Sequence, residues 1–504
     1  MEKLMIKTVA DYLDNTVLRF PNKVAFDDGL RAVSFLQFQS EAKHIATAIA
    51  KEGLFKSSVA VYLDKHIECL SSMIGVTYSG NYYTVLDIKS PQTRLEKIIA
   101  TLHPSMIITD GKHQQEAALF AGDAKILLWE DTHCISTDDV LLQRVSERIL
   151  TSDIMFVLFT SGSTGMPKGV VMPHKAVIPY VEWGSSAFPI DEKTVFCSQA
   201  PFYYVASCFE LFQTLKSGAT LHFIPQQLFL FPVDLLEYLN QKKATFLVFV
   251  PSVICMIANL GSLEEVRLDS LQYLMFGGEA MPAKQLNMWR RAYPWVKLVN
   301  VYGMTEMMDD CVYYRVEREL DDSEPVPIGF PCEHADVFLI DEDGKPTTPG
   351  EVGELYGRGP SIAYGYYNDP DKTARAFVQN PLQANYPEIV YRTGDICRIN
   401  EFGEIIYICR KDFQIKHMGN RIELGEIETV CSALEEIERS CCLYNAEKAQ
   451  IVLFYEGSLE PSALRAQLKS ALPEYMRPHI YRKMEEMPLN HNGKINRTAL
   501  KELL

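Results

Sequence analysis

Short apolar runs alternate with helix-period stretches through residues 1 to about 300. Residues 59–63, 106–109, 154–159, 246–250 and 273–276 carry almost no polar side chain, the pattern of strands covered on both faces in a parallel sheet. Stretches such as residues 40–51 lie between them with apolar positions at helical spacing. Strand, helix and strand in regular succession predict an α/β architecture. After residue 300 turn signals become dense, as in Asp341-Glu342-Asp343-Gly344 and Thr348-Pro349-Gly350-Glu351. Short strands at 337–340 and 404–408 predict a β-rich subdomain there. A final block with its own strands and helices, including residues 451–455, follows a boundary near Arg410-Lys411-Asp412. The expected fold is a large α/β domain over residues 1–409, with parallel-sheet subdomains and a β-rich subdomain, then a small α+β domain over 410–504.

Composition narrows the class. With 504 residues, 47% hydrophobic and 23% charged, the chain is long enough for more than one core. Its net charge of −16 argues against generic binding to nucleic acid or to an anionic membrane. The 12 Cys show neither a disulfide framework nor a CxxC zinc pattern and read as buried thiols. The N-terminus, MEKLMIKTVADYL, has no signal-peptide core. Residues 244–260 are apolar but interrupted by Pro251, Ser252 and Asn259, so they read as a strand, a Pro break and a helix start rather than a membrane span. A cytoplasmic location is expected by default.

The densest chemistry lies in residues 160–169, TSGSTGMPKG, directly after the apolar run 154–159. Four small hydroxyl residues, three Gly and one Lys leave little bulk, so backbone N–H groups and hydroxyls can close around phosphate oxygens. Lys168 is followed by Gly169, so the Gly-Lys-Ser/Thr ending of a P-loop kinase or NTPase is missing. Four more stretches follow in order: Asn300-Val301-Tyr302-Gly303-Met304-Thr305-Glu306, Tyr391-Arg392-Thr393-Gly394-Asp395, residues 410–428 (RKDFQIKHMGNRIELGEIE) and residues 488–497 (PLNHNGKINR).

With these stretches in this order, the chain resembles the adenylate-forming superfamily of acyl-CoA synthetases, peptide-synthetase adenylation domains and luciferases. The resemblance implies a two-step reaction: a carboxylate attacks the α-phosphate of ATP and expels pyrophosphate, and a thiol then attacks the acyl-adenylate. It also implies ATP and Mg²⁺ as cofactors. By resemblance, Lys494 is the catalytic cation, with Thr305 and Glu306 beside it and Glu306 as the Mg²⁺ ligand. Thr160, Ser161, Gly162, Ser163, Thr164, Gly165 and Lys168 would cradle the β- and γ-phosphates. Gly278, Glu279, Ala280, Asn300, Tyr302 and Gly303 complete the nucleotide site, with Tyr302 offering a face to adenine. Asp395 would accept the ribose hydroxyls and Arg410 reach the same sugar. The 410–504 block resembles the family's mobile lid, with Asp412 at the hinge. Lys416 and Gly419, with Gln414 and Ile415, resemble the segment that lines the pantetheine tunnel in the thiol half-reaction and faces solvent during adenylation; Lys416 reads equally as a surface charge. His174 reads either as a family site residue or as a core histidine. Met304 and Cys409 replace the Pro and Gly common at those positions.

The acyl pocket is expected from Val205, Ala206, Phe209, Phe249, Met275, Gly277, Val301, Asp309 and Asp310. The chain's length and its Gln199-Ala200-Pro201-Phe202 are similar to those of D-alanine–carrier-protein ligases and of standalone amino-acid adenylation domains. Those relatives place an Asp for the substrate α-ammonium where this chain has Val205, and the D-alanine ligases place a Cys where it has Gly277. An aliphatic side chain cannot pair with a buried ammonium. The expected substrate is therefore a β- or ω-amino acid, whose amine Asp309 and Asp310 would meet, or an acid without an α-amine; the two Asp read equally as capping or solvated residues. The expected thiol belongs to a phosphopantetheinylated carrier protein, with free coenzyme A as the alternative. Residues 477–483 (RPHIYRK) form a basic run suited to an acidic carrier helix or simply to solvent. Because the chain ends soon after Lys494, a standalone ligase is expected.

Overall fold

The computed structural model describes residues 6–162, 166–489 and 495–504. Among these residues five sheets form. A nine-stranded sheet runs in the spatial order Phe330–Pro331, Asp309–Arg315, Lys297–Met304, Tyr273–Gly277, Phe246–Phe249, Val195–Ser198, Thr220–Phe223, Val24–Asp27 and Ala32–Ser34. Its central pairs are parallel. A six-stranded sheet has the order Lys125–Leu128, Met106–Thr109, Ser58–Val61, Tyr82–Val85, Ile154–Thr160 and Lys168–Pro173, parallel except for its last pair. The apolar runs thus became the inner parallel strands, since only a side chain that is apolar on both faces tolerates cover on both.

The largest core draws on both sheets, with Val59, Phe156, Phe246, Met275 and Val299 among its members. A second core lies on the other face of the nine-stranded sheet and takes Leu247, Phe249, Leu274 and Phe276. The alternation along Phe246–Phe249 therefore sends neighbouring side chains into different cores. The helix anticipated over residues 40–51 begins earlier, at Phe35. Ser34 caps it by accepting from the Gln37 N–H, and the Gln37 side chain accepts from the Ser34 N–H in return.

The turn-rich region forms a five-stranded antiparallel sheet from Asp336–Ile340, Val352–Arg358, Phe377–Gln379, Ile389–Ile399 and Ile405–Arg410. A hairpin, Gln414–His417 with Asn420–Glu423, leads into helix Leu424–Ser432 and a three-stranded sheet of Ile437–Asn445, Gln450–Gly457 and Ile480–Met484. This last part packs its own apolar clusters, one around Ile427, Leu453, Leu464 and Leu468 and one around Phe454, Met487 and Leu500. All 12 Cys are free, most of them buried. No helix of the described residues is long and apolar enough to cross a membrane.

Candidate active site

The residues of the ordered motifs converge where the hairpin Gln414–Glu423 meets the two large sheets. Strand Ile154–Thr160 turns back antiparallel into Lys168–Pro173, with Thr160 opposite Lys168. The described ends of the hydroxyl- and glycine-rich stretch thus sit at the end of a strand pair. Ser163, Thr164 and Gly165 lie outside the described residues, as does Lys494. The Thr160 hydroxyl is buried without a partner among the described residues. Ser161 Oγ donates to the Arg421 carbonyl at 2.7 Å and accepts from the Glu423 N–H, and the Gly162 N–H donates to Glu426 Oε2.

Glu306 is the electrostatic centre. It follows strand Lys297–Met304 in a short helical turn headed by the buried Thr305, and it is fully buried itself. Its Oε1 accepts from Tyr366 OH at 2.7 Å and faces Lys168 Nζ at 3.4 Å, while Oε2 takes Arg421 at 2.7 Å. Burial alone would push this carboxyl up, but Arg421 and Lys168 overcome it and hold Glu306 well below the usual carboxylate range. Burial and the like charge of Arg421 pull Lys168 down to about 8. An ionised, buried carboxylate of this kind fits a divalent cation once Arg421 withdraws. A bound Mg²⁺ would neutralise phosphate oxygens at that point.

In the five-stranded sheet Asp395 and Arg410, both expected to meet the ribose, stand opposite each other across two strands. Tyr302 OH donates to Asp395 Oδ2, and Arg410 donates to Oδ1 at 2.9 Å. The Tyr302 ring, expected to face adenine, is covered here by Lys416, whose Nζ lies 5.2 Å from its centroid. Lys416 is therefore a site residue in this arrangement and not a surface charge. Asn300 donates its amide to the Pro327 carbonyl at 2.8 Å. Glu279 receives the Gly419 N–H at 2.9 Å and the Ser252 N–H at 3.0 Å, so it anchors the hairpin, while Gly278 and Ala280 beside it are exposed. Gly419 has φ +76°, and a Cβ there would sit 2.7 Å from Val250, so both backbone and space demand glycine. Asp412 is gripped by the Arg410 fork at 2.6 and 2.7 Å. Gly303 pairs across the strands with Asp310, at a bulge.

Of the residues expected to form the acyl pocket, Val205, Phe209, Met275 and Val301 are buried in the largest core, and Ala206 is half-buried beside Val205. Phe249 is a correction: it faces the second core, against Phe229, because strand alternation turns it away from Met275 and Val301. Val248 packs on the expected side instead. A Cβ at Gly277 would lie 2.6 Å from the Val301 carbonyl oxygen, so a Cys does not fit there without backbone movement. Asp310 is buried and Asp309 nearly so; neither caps a helix nor faces solvent freely. Tyr180 OH bridges them, at 3.1 Å to Asp309 and 3.3 Å to Asp310. Met308 and Asp309 have φ of 54° and 74°, left-handed backbone that costs on the order of 1–3 kcal/mol per residue and gathers at functional sites. Burial pushes both carboxyls up, most strongly Asp310, where Asp309 adds like-charge repulsion.

His174 is buried, its Nδ1 has no partner among the described residues, and burial pulls it down to about 4, as in a core histidine. Sequence reasoning quoted Arg421, Glu423 and Glu426 inside a motif but gave them no role. It passed over Tyr180, Tyr366 and Arg94, the last of which forms a buried ion pair with Glu426. Nothing local marks these residues, because their partners lie far away in the chain.

Comparison with known proteins agrees with this geometry. The family model described as AMP-binding enzyme matches residues 13–367. The chain is 29% identical to zwittermicin A synthase ZmaJ of Bacillus cereus, over 98% of this chain and 95% of that protein. It is 28% identical to the D-alanine–D-alanyl carrier protein ligase of Lacticaseibacillus casei, over 98% and 99% of the two chains. Against tyrocidine synthase 1 of Brevibacillus parabrevis the match spans 45% of the relative's length. Among solved structures the amide bond synthetase McbA of Marinactinospora thermotolerans superposes with a TM-score of 0.85 at 20% identity, covering 99% of each chain, a likeness of fold.

Proposed function

The chain belongs to the AMP-binding enzyme family, and from that premise we propose that it adenylates a small carboxylic acid carrying an amine remote from the carboxyl, then passes the acyl group to the phosphopantetheine thiol of a carrier protein. The carrying observation is the buried carboxylate of Glu306, held ionised, with Tyr366 donating to it and Lys168 facing it: a cation beside a group able to hold Mg²⁺. A preset array of cations is what attack at the α-phosphate requires, because negative charge moves among crowded oxygens while the protein forms no bond of its own.

In the proposed first step the substrate carboxylate forms a bond to the α-phosphorus and the bond to the pyrophosphate oxygen breaks. Thr160, Ser161 and Lys168 hold the phosphates, Asp395 and Arg410 the ribose, and Lys494 the charge at the reacting centre. In the second step the carbon–sulfur bond forms and AMP leaves. Residues 410–504 act as a lid turning near Asp412. The hairpin contacts of Gly419 with Glu279 and of Ser161 with Arg421 correspond to the arrangement for the thiol step.

The choice of acid rests on Asp309 and Asp310. Two buried carboxylates share the Tyr180 hydroxyl, while the position expected to carry an α-amine partner is Val205. Lys416 is the cation acting on the pair here, and an ammonium at the far end of the substrate would bring a second. Substrate-dependent pyrophosphate exchange with α-, β- and ω-amino acids, aryl acids and fatty acids tests the reading. A β- or ω-amino acid is expected to lead the panel. Preference for D-alanine would overturn the substrate assignment, and transfer to free coenzyme A in place of carrier would overturn the acceptor.

A further inference from the structure

A second cationic site adjoins the phosphate end of the active site. A cavity of about 300 Å³, at the small end of the roughly 300–1,000 Å³ common for ligand pockets, opens between the five-stranded sheet, helix Pro370–Ala376 and the hairpin. Its inner end is Lys168 and Arg421, two cations sharing the one carboxylate of Glu306. Its flank carries Arg392 and Lys411, which share Glu354 at 2.7 and 3.3 Å. At helix Pro370–Ala376 stand Lys372, paired with Asp369, and the exposed Arg375, which has no ion-pair partner among the described residues.

Opposing charge is accounted for. Arg410 is matched by Asp395 and Asp412, and Glu423 lines the wall with its carboxyl pushed up by burial. Three separate places of cation excess therefore face one cavity in a chain of net charge −16. The adenosine-side residues Gly278, Asn300, Tyr302 and Asp395 do not line it. With the hairpin in place, Ser161 and Gly162 bond to the hairpin and its following helix, and Glu306 is taken by Arg421. A polyphosphate cannot keep those partners in this arrangement, but the cavity begins at the same Lys168.

Resting on the adenylation reading above, we propose that this cavity is a binding site for inorganic pyrophosphate, which holds the leaving group outside the phosphate loop once the hairpin has closed. Guanidinium forks at Arg375, Arg392 and Arg421 suit its oxygens. The same site makes pyrophosphate an inhibitor of the thiol step.

The test is calorimetric titration of the full chain, saturated with AMP, with inorganic pyrophosphate. Arg375→Glu and, independently, Lys372→Gln should each weaken pyrophosphate binding by roughly fivefold or more, with AMP affinity held within about twofold. Lys284→Glu, an exposed charge change outside the cavity lining, should leave both unchanged. The site is refuted if wild-type protein does not bind pyrophosphate, if both cavity variants bind it as tightly as wild type, or if Lys284→Glu weakens it equally. Acid-dependent exchange by the wild type is read separately. Its absence would sink the adenylation reading, while the titration still judges the cavity.

Discussion

In the proposed reading substrate choice turns on Asp309 and Asp310, and their burial makes them testable by stability as well as by rate. A carboxyl whose folded pKa is raised holds its proton more tightly in the folded state, so it costs stability as the pH rises from the unfolded value through the raised one. Asp310→Asn should therefore raise the Tm at pH 8 more than at pH 5, read by calorimetry at both values. The same variant should cut kcat/KM for the amine-bearing acid by roughly tenfold to several hundredfold, the loss expected when a buried charge partner is removed. A variant less stable at pH 8 and equally active would mean that the pair only braces Tyr180. Lys494 has a different signature. Lys494→Ala should lose most acyl-AMP formation yet still transfer a supplied acyl-adenylate to the thiol, since only the first step needs its charge. Full exchange activity in that variant would remove it from the mechanism.

At the scale of elements, the proposed mechanism makes the hairpin Gln414–Glu423 the part that decides which half-reaction the site is arranged for. Its grip comes from Arg421 on Glu306, Gly419 on Glu279 and Asn420 on Tyr204, all polar contacts to the large sheets. Arg421→Ala should slow transfer from acyl-adenylate to thiol by about tenfold, equivalent to losing 1.4 kcal/mol from the closed arrangement. Pyrophosphate exchange should change far less, because that step does not use this contact. An equal fall in both rates would place Arg421 in the adenylation step instead. This is also the scale at which sequence reading divides. Residues 59–63 and 273–276 were readable as strands because side chains covered on both faces must be apolar. The strand leading into the hydroxyl- and glycine-rich stretch was readable for the same reason. Phe249 was misplaced because its identity says it is buried but not against which core; the strand's register decides that. Arg421 stood inside a quoted motif, yet its role depends on a glutamate brought to it by the fold.

Across the whole molecule, the apolar clusters of the C-terminal part stay separate from those of the large sheets, and the buried Arg94–Glu426 pair joins the two. Separate cores joined by polar contacts are what the proposed rotation of residues 410–504 requires. The acidic surface makes overall attraction of an acidic carrier unfavourable, so docking needs a local basic patch. In residues 477–483 the structure uses Arg477 to bind the Leu472 and Lys469 carbonyls and Arg482 to bind the Leu503 carbonyl. Reversing either arginine would disturb the fold before it tested docking. Lys483 is the clean probe, since among the described residues its side chain bonds only Glu460 at 2.7 Å and the Ser458 carbonyl, and such an exposed pair is worth about 0–1 kcal/mol. Lys483→Glu should raise the KM for carrier severalfold, more at low salt than at high, because screening removes the effect beyond about 10 Å at 0.1 M. Exchange, which involves no carrier, should be untouched. If exchange and carrier transfer fall together, the run serves the fold of the C-terminal part and the carrier docks elsewhere.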